Sequence, residues 1–427
     1  MRKNPPLYLI VFINNTDWVL VPICLAKKMI GVYIARDWQE SIERSFMVSV
    51  KESAKNSQKE MSRNPPIVYF ASTAVKKLES GATLPAKFSR LLKRYLSNEG
   101  WDKKRIAIKM HIGGGLGYTT IHPLFVIEII KALKERGANP FITDGSFSVS
   151  GARVRGYTEE VLGAPILPAA GVNDKYYYEK KVGFKTMKTV QLCGNIVDAD
   201  GLIVLSHGKG HGHSGFGGAI KNIAMGCVTC KTRGEIHRLS SKYFTINPDL
   251  CKQCLDCIKN CPTAAISFNK DKKVIEIFDH HCRFCMHCVE CCPQNAITID
   301  MSGYRDFQHG MALAVRETIR SLAEKPVFYI NVLTSITPLC DCWGFSTPSL
   351  VPDIGIFASG DIAAIEKASL DSIKVENFIE GSLPGHLKLT GDGHLFQRIH
   401  GKDPYMQVKE IEKLGIGRAE YKLAEVF

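Results

Sequence analysis

No apolar stretch in this 427-residue chain reaches the ~20 residues needed to cross a bilayer. The longest near the start, Leu7–Ile13 and Trp18–Ala26, are separated by Asn14, Asn15 and Asp17. Arg2-Lys3 stands ahead of that region as in a signal peptide, but no small-residue cleavage site follows clearly. Acidic residues are in deficit, 42 against 55 Lys and Arg, a formal charge of +13. No aromatic stacking pattern accompanies the excess, so nucleic acid is not an expected partner. Neither glycine-rich loop fits G-x-G-x-x-G or the P-loop lysine pattern, so a nucleotide site has no support. With 45% hydrophobic and 23% charged residues, the chain is also not a disordered one.

What is present in excess is cysteine, 15 in all. Cys251, Cys254, Cys257 and Cys261 precede Pro262; Cys282, Cys285, Cys288 and Cys292 precede Pro293. Each run reads C-x2-C-x2-C-x3-C-P, the pattern that holds 4Fe-4S clusters in bacterial two-cluster ferredoxins. Two-residue gaps wrap a loop around a small cube and supply three thiolates, while the fourth Cys serves the other cluster. The expected ligand sets are therefore Cys251, Cys254, Cys257 and Cys292 for one cluster, and Cys282, Cys285, Cys288 and Cys261 for the other. The proline cannot donate a hydrogen bond and turns the chain away. Zinc sites also use paired C-x2-C, but they give no reason for a third Cys at the same spacing or for the proline. The two runs repeat with a period of 31, and Ala265-Ile266 maps onto Ala296-Ile297. Cys291 beside Cys292 reads as a spare thiol, and Cys24 and Cys193 carry no motif. This usage points to a reducing, cytoplasmic setting rather than a disulfide scaffold.

Charge is uneven. Residues 1–110 carry 20 Lys and Arg against 9 Asp and Glu, whereas residues 301–427 carry 13 against 16. The dense part, from Lys76 to Lys109, reads as a solvated helix face, with docking of an acidic electron carrier as the functional alternative. Residues 1–60 look unlike the rest and are expected to be an atypical extension. A second start-like point is Met61, followed by the first plausible strand, Ile67-Val68-Tyr69-Phe70.

The remainder alternates strand, glycine loop and helix. Arg105–Lys109 is an expected strand, a helix starts near Pro123, and Pro140–Asp144 is the next strand, making a βαβ unit. Gly201–Ser206 is a buried strand, followed by a glycine- and histidine-rich loop and a helix over Ala219–Met225. Val327–Val332 and Ile354–Ala358 are later strands, and a helix runs from about Ile362 to Ile373. The fold class is α/β: a mainly parallel sheet body with an inserted α+β two-cluster ferredoxin-type domain. The expected boundaries are 61–244 for the first part of the body, 245–300 for the insert and 301–427 for the second part.

In open α/β sheets ligands bind beyond the carboxyl ends of strands. The polar residues at those positions are His111, Asp144, His207, His211, His213, Cys340, Cys342 and Asp361, with Cys227 and Cys230 past a helix. Such groups bind metals or move protons. The plain alternatives are exposed turn histidines and a pair of inert buried thiols. His207, His211, Cys227, Cys340 and Cys342 are the candidate catalytic set, and a third metal site built from these residues is an expectation.

Leu205-Ser206-His207-Gly208-Lys209-Gly210-His211, Gly215–Asn222, Met225-Gly226-Cys227, Cys340-Asp341-Cys342, Val351–Gly355 and Gly415-Ile416-Gly417 together resemble the domain of unknown function 362 family. The resemblance runs from about Ile67 to the C-terminus. It implies an iron–sulfur protein of the type that carries the ferredoxin insert, and it carries over no established catalytic residues. The expected function is an oxidoreductase passing single electrons from a soluble donor through two 4Fe-4S clusters to a small-molecule site in the body. The alternative is an electron-transfer or redox-sensing module with no substrate of its own.

Overall fold

The computed structural model describes residues 8–13, 17–22, 64–97, 100–240, 244–261, 263–278, 281–282, 286–300, 302–383 and 387–427. Cys24, Met61, Pro262 and Cys285 lie outside them, as do the expectations that rest on those residues. The chain falls into two units, Met1–Asn64 and Pro65–Phe427. In the first, Tyr8–Ile13 pairs antiparallel with Asp17–Pro22.

The second unit is built on an eight-stranded sheet. Its strands are β1 (Ile67–Ser72), β2 (Arg105–Met110), β3 (Asn139–Asp144), β4 (Ile166–Pro168), β5 (Gly201–His207), β6 (Val327–Leu333), β7 (Gly355–Ser359) and β8 (Lys422–Glu425). Their spatial order is β8-β1-β7-β6-β5-β2-β3-β4. Every neighbouring pair is parallel except those of β7, which runs antiparallel to β6 and β1. Gly355 opens β7 at φ 146°, and a Cβ there would collide with the Ala71 carbonyl oxygen of β1. The sheet is thus α/β and mainly parallel, with one reversed strand.

Helices cover both faces. Helix α1 (Leu84–Leu96) and α2 (Pro123–Lys134) bury apolar residues on one side. Helix α3 (Ala219–Gly226), α4 (Ser302–Ser321) and α5 (Ile362–Ser372) do so on the other. β5 explains why a continuous apolar strand is needed: all seven of its residues are buried. Successive side chains alternate sides, Leu202 and Val204 entering one core and Ile203 and Leu205 the other. Along α1 the basic residues Arg90, Lys93 and Arg94 are exposed, while Lys87 is buried with Nζ on the carbonyls of Ser72 (3.1 Å) and Ala74 (2.6 Å).

From β2 the chain proceeds through β3 and β4 on one side, then returns to place β5 and β6 on the other. The connections therefore part between β2 and β5, which opens a crevice at their carboxyl ends.

Residues 244–299 form a small subassembly with its own apolar core. Phe244–Ile246 pairs antiparallel with Ile297–Ile299, and Ile266–Asn269 with Val274–Ile277. The 31-residue repeat is visible in the backbone. Leu255 (φ 64°) and Met286 (φ 66°) are left-handed and open the short helices Asp256–Lys259 and His287–Glu290. Ala264 (φ 51°) and Asn295 (φ 49°) match in the same way.

Candidate functional site

A cavity of about 420 Å³ lies at the crevice between β2 and β5. Lys109, near the end of β2, is 1% exposed, an expensive place for an ammonium unless it is paired. Its Nζ is held by Asp144 Oδ1 (3.1 Å), Asn222 Oδ1 (2.6 Å) and the Met110 carbonyl (3.2 Å). Asp144 ends β3 and also accepts from Ile112 N (3.1 Å) and His111 Nδ1 (3.1 Å). Burial pushes the Asp144 pKa up, but Lys109 and His111 outweigh it and hold the carboxyl well below the usual carboxylate range. With Nδ1–H of His111 directed at a carboxylate, its Nε2 carries the lone pair. That atom is buried and has no hydrogen-bond partner among the described residues. His111 lines the cavity as a base or ligand oriented by an acid.

On the opposite wall, one ligand atom each of His211, Cys340 and Cys342 lies within 4.8 Å of the others. The two sulfurs are joined as a disulfide across a separation of two residues. Lys221 Nζ stands 3.7 Å from Cys340 Sγ and 4.0 Å from Cys342 Sγ. Burial, with help from Lys109, pulls the Lys221 pKa down to about 8. His211 Nδ1 accepts from the backbone N–H groups of His213 (3.1 Å) and Ser214 (2.9 Å), so its ring proton belongs on Nε2. In that tautomer His211 offers a hydrogen bond from Nε2–H, and a metal at Nε2 would have to displace the proton.

The loop bearing the disulfide is fastened from behind. Asp341, between the cysteines, is 4% exposed and bonds Lys209 Nζ (2.8 Å) and His207 Nδ1 (2.8 Å), while His207 Nε2 meets the Thr334 carbonyl at 2.7 Å. Burial raises the Asp341 pKa, but His207 and Lys209 outweigh it and hold the acid well below its ordinary value. Burial and Lys209 lower the His207 pKa against the pull of Asp341.

The sequence candidates thus separate by position. His111, Asp144, His211 and Cys342 line the cavity, with Cys340 bonded to Cys342. His207 is a strut with both nitrogens engaged, and His213 packs edge-on against Phe307 at 4.0 Å. None of the three loop histidines is an exposed turn residue. Cys227 is buried in the core, its thiol pushed up to about 12 chiefly by burial; Cys230 is exposed beside Arg233, and the two are not bonded. Asp361 caps α5, accepting from Ala363 N and Ala364 N at 2.9 Å. Lys109, Lys221, Arg233 and Trp343 also line the cavity and were not singled out from sequence. The one available signal for Lys109 was a lysine inside an otherwise apolar strand.

In residues 244–299, a second, smaller cavity is lined by Cys251, Cys254, Cys257 and Cys292, among Ile246, Ile275 and Ile297. Cys261 Sγ accepts from Ala265 N (3.2 Å) and Cys292 Sγ from Ala296 N (3.3 Å), again 31 residues apart. Four sulfurs around an apolar hollow, one of them accepting a backbone N–H, are residues that could hold a 4Fe-4S group. Cys291 is not among the residues lining it. This subassembly touches the crevice. His281 stacks on Trp343 at 4.8 Å and 9°, Phe278 meets Trp343 edge-on at 5.8 Å, and Lys402 Nζ bonds the carbonyls of Cys282 and Gly212.

The family described as Domain of unknown function (DUF362) matches residues 106–371. The chain belongs to that family. The match covers β2 to α5, so β1 and β8 of this DUF362 sheet fall outside it. No curated protein matches. A crystal structure of a Thermotoga maritima protein is similar at 13% identity and a TM-score of 0.33, covering 60% of this chain and 52% of that one. The lactate racemase apoprotein from Thermoanaerobacterium thermosaccharolyticum is similar at 15% identity and a TM-score of 0.30, covering 63% and 51%. The chain thus spans about half the length of these solved structures, and likeness at such scores bears no weight here. Among the described residues, no helix is long and apolar enough to cross a membrane.

Proposed function

We propose that this DUF362 protein is an iron–sulfur oxidoreductase that receives single electrons from a soluble donor and uses them at the crevice between β2 and β5. Cys251, Cys254, Cys257 and Cys292 are the ligands of one 4Fe-4S cluster; Cys261, Cys282, Cys285 and Cys288 are those of the other. When bound, the two clusters supply one-electron transfer. The observation that carries this reading is the crossover: the hollow beside Cys251, Cys254 and Cys257 is completed by Cys292 of the other run.

The crevice residues supply binding and proton handling. Lys221 and Arg233 line it with no carboxylate partner among the described residues, and Phe278, Phe307 and Trp343 give it aromatic walls. That combination suits a compact organic anion with an unsaturated or aromatic body. His111, oriented by Asp144, is the group placed to take or return a proton.

Iron and acid-labile sulfide in anaerobically purified protein test the ligand assignment. The expected content is about eight iron atoms per chain, falling by about half in Cys292→Ala with loss of the cluster held by the first run. Wild-type protein with no iron after anaerobic reconstitution, or a Cys292→Ala variant as iron-rich as wild type, would overturn it. The same assay decides the third metal: zinc, nickel or extra iron lost in Cys340→Ala plus Cys342→Ala would assign one to His211 and the two sulfurs.

The alternative, an electron-transfer or redox-sensing module without its own substrate, draws on the fact that His207 and Cys227 are engaged or buried rather than presented to a ligand. Lys221→Ala separates the two. It impairs binding of an anionic substrate, and it leaves a pure carrier's reduction by its donor unchanged.

A further inference from the structure

We infer that Cys340 and Cys342 form a dithiol–disulfide couple that takes up two electrons at the wall of the crevice. The inference rests on the reading of the cysteine runs as cluster ligands, because those supply the electrons one at a time.

The first argument is selectivity. Cys340 and Cys342 are bonded to each other, while Cys193, Cys227 and Cys230, the other described cysteines outside the two runs, are free thiols. Cys193 and Cys227 are both buried and joined through a backbone hydrogen bond of 2.9 Å, yet they are not bonded through sulfur. A disulfide in a chain that also keeps free thiols is more often a reactive one than a staple.

The second argument is loop length. A disulfide stabilises mainly by restricting the unfolded chain, and the effect grows with the loop it closes. A separation of two residues closes a very short loop, so the bond does little as a staple. The loop is already held by other means. Asp341, between the two cysteines, is fixed by Lys209 and His207, so opening the bond leaves the backbone in place.

The third argument is access. Cys342 is exposed and lines the crevice, while Cys340 is buried behind it. Reduction breaks the Sγ–Sγ bond. Each sulfur keeps one of its bonding electrons, gains one from the reductant and takes up one proton. The reductant is a low-potential one-electron carrier acting twice. Lys221 Nζ lies within 4.0 Å of both sulfurs and is placed to protonate each in turn, while His211, in the same cluster of side chains, can offer a hydrogen bond. Lys221 recovers its proton from water in the open crevice after each transfer.

The fourth argument is continuity. Trp343 follows Cys342 and stacks face to face on His281, which precedes Cys282 of the second run. The stacked pair puts two aromatic rings between a cluster-ligand segment and the disulfide. It makes the second run, rather than the first, the one beside the crevice.

Stoichiometric dithionite titration of the iron-loaded protein, followed by visible absorbance, counts the electrons. Wild type is expected to take up about four, two in the clusters and two in the disulfide, and Cys340→Ser plus Cys342→Ser about two. Differential alkylation read by mass spectrometry needs only wild type. Cys340 and Cys342 should resist labelling as purified without thiols and label fully after dithionite, with slower labelling in Trp343→Ala. Equal electron counts in wild type and the double variant would overturn the inference, as would full labelling before reduction. Failure of the cluster reading looks different, since it gives no iron and no bleaching of visible absorbance whatever the cysteines do.

Discussion

Asp341→Ala will destabilise the protein by about 3–5 kcal/mol, because it strips the counter-charge from a buried ammonium. Asp341 and Lys209 are 4% and 1% exposed, and their ion pair measures 2.8 Å. Lys209 has two other acceptors, the Thr119 carbonyl (3.1 Å) and the Thr119 hydroxyl (2.9 Å), but no second carboxylate among the described residues. An unpaired cation there must either lose its proton or draw water inward, and both cost free energy. His207 loses its partner at the same time. Denaturant midpoints for Asp341→Ala, Lys209→Met and the double variant will show the coupling, with the double variant less damaged than the sum of the singles. A loss under about 1 kcal/mol in Asp341→Ala would mean the pair is not buried as described. Because Asp341 lies between Cys340 and Cys342, the variant will also loosen the loop that holds the disulfide against Lys221.

The second large effect is one of pH. Glu366 on α5 is fully buried, and its Oε2 accepts from Ala219 N at the start of α3 (2.8 Å) and from Asn331 Nδ2 (3.2 Å). Its Oε1 has no hydrogen-bond partner among the described residues. Burial raises the pKa from 4.5 to about 7, against the lowering pull of those hydrogen bonds. A raised carboxyl favours the folded state only while it stays protonated. Its contribution is whole below pH 4.5 and is lost as pH climbs through 7. The loss amounts to about 3 kcal/mol at full ionisation. Wild-type stability should therefore fall across that window relative to Glu366→Gln, which has nothing to titrate there. Parallel stability–pH curves for the two proteins would show that Glu366 ionises normally.

Much of the scaffold was legible because its signals are local. β5 is a continuous apolar run, α2 begins at a proline, and Asp361 precedes the apolar residues of α5 as a cap does. The repeat of cysteine runs was legible for the same reason: the motif sets a loop geometry within a dozen residues, and the backbone repeats it at Leu255 and Met286. The reversal of β7 was not legible. Strand direction depends on how the chain between β6 and β7 returns, and the apolar pattern of a strand is the same in either direction.

For the crevice, residue types could be read and their roles could not. His111, His207, His211 and His213 all follow strands in sequence, yet His111 has an unpartnered nitrogen, His207 is locked to Asp341 and Thr334, and His213 packs on Phe307. Lys109 became visible only through Asp144 and Asn222, 35 and 113 positions away. The amino-acid sequence by itself determined the alternating α/β plan, the family and the two cysteine runs. Each of these is written in short-range spacing, where a few residues confine the backbone. Only the tertiary structure decided that Cys340 and Cys342 are bonded beside Lys221, that His111 keeps one nitrogen unpartnered among the described residues, and that Trp343 meets His281. Those contacts join segments far apart in the chain, and which atoms meet is settled by the packing of the whole sheet.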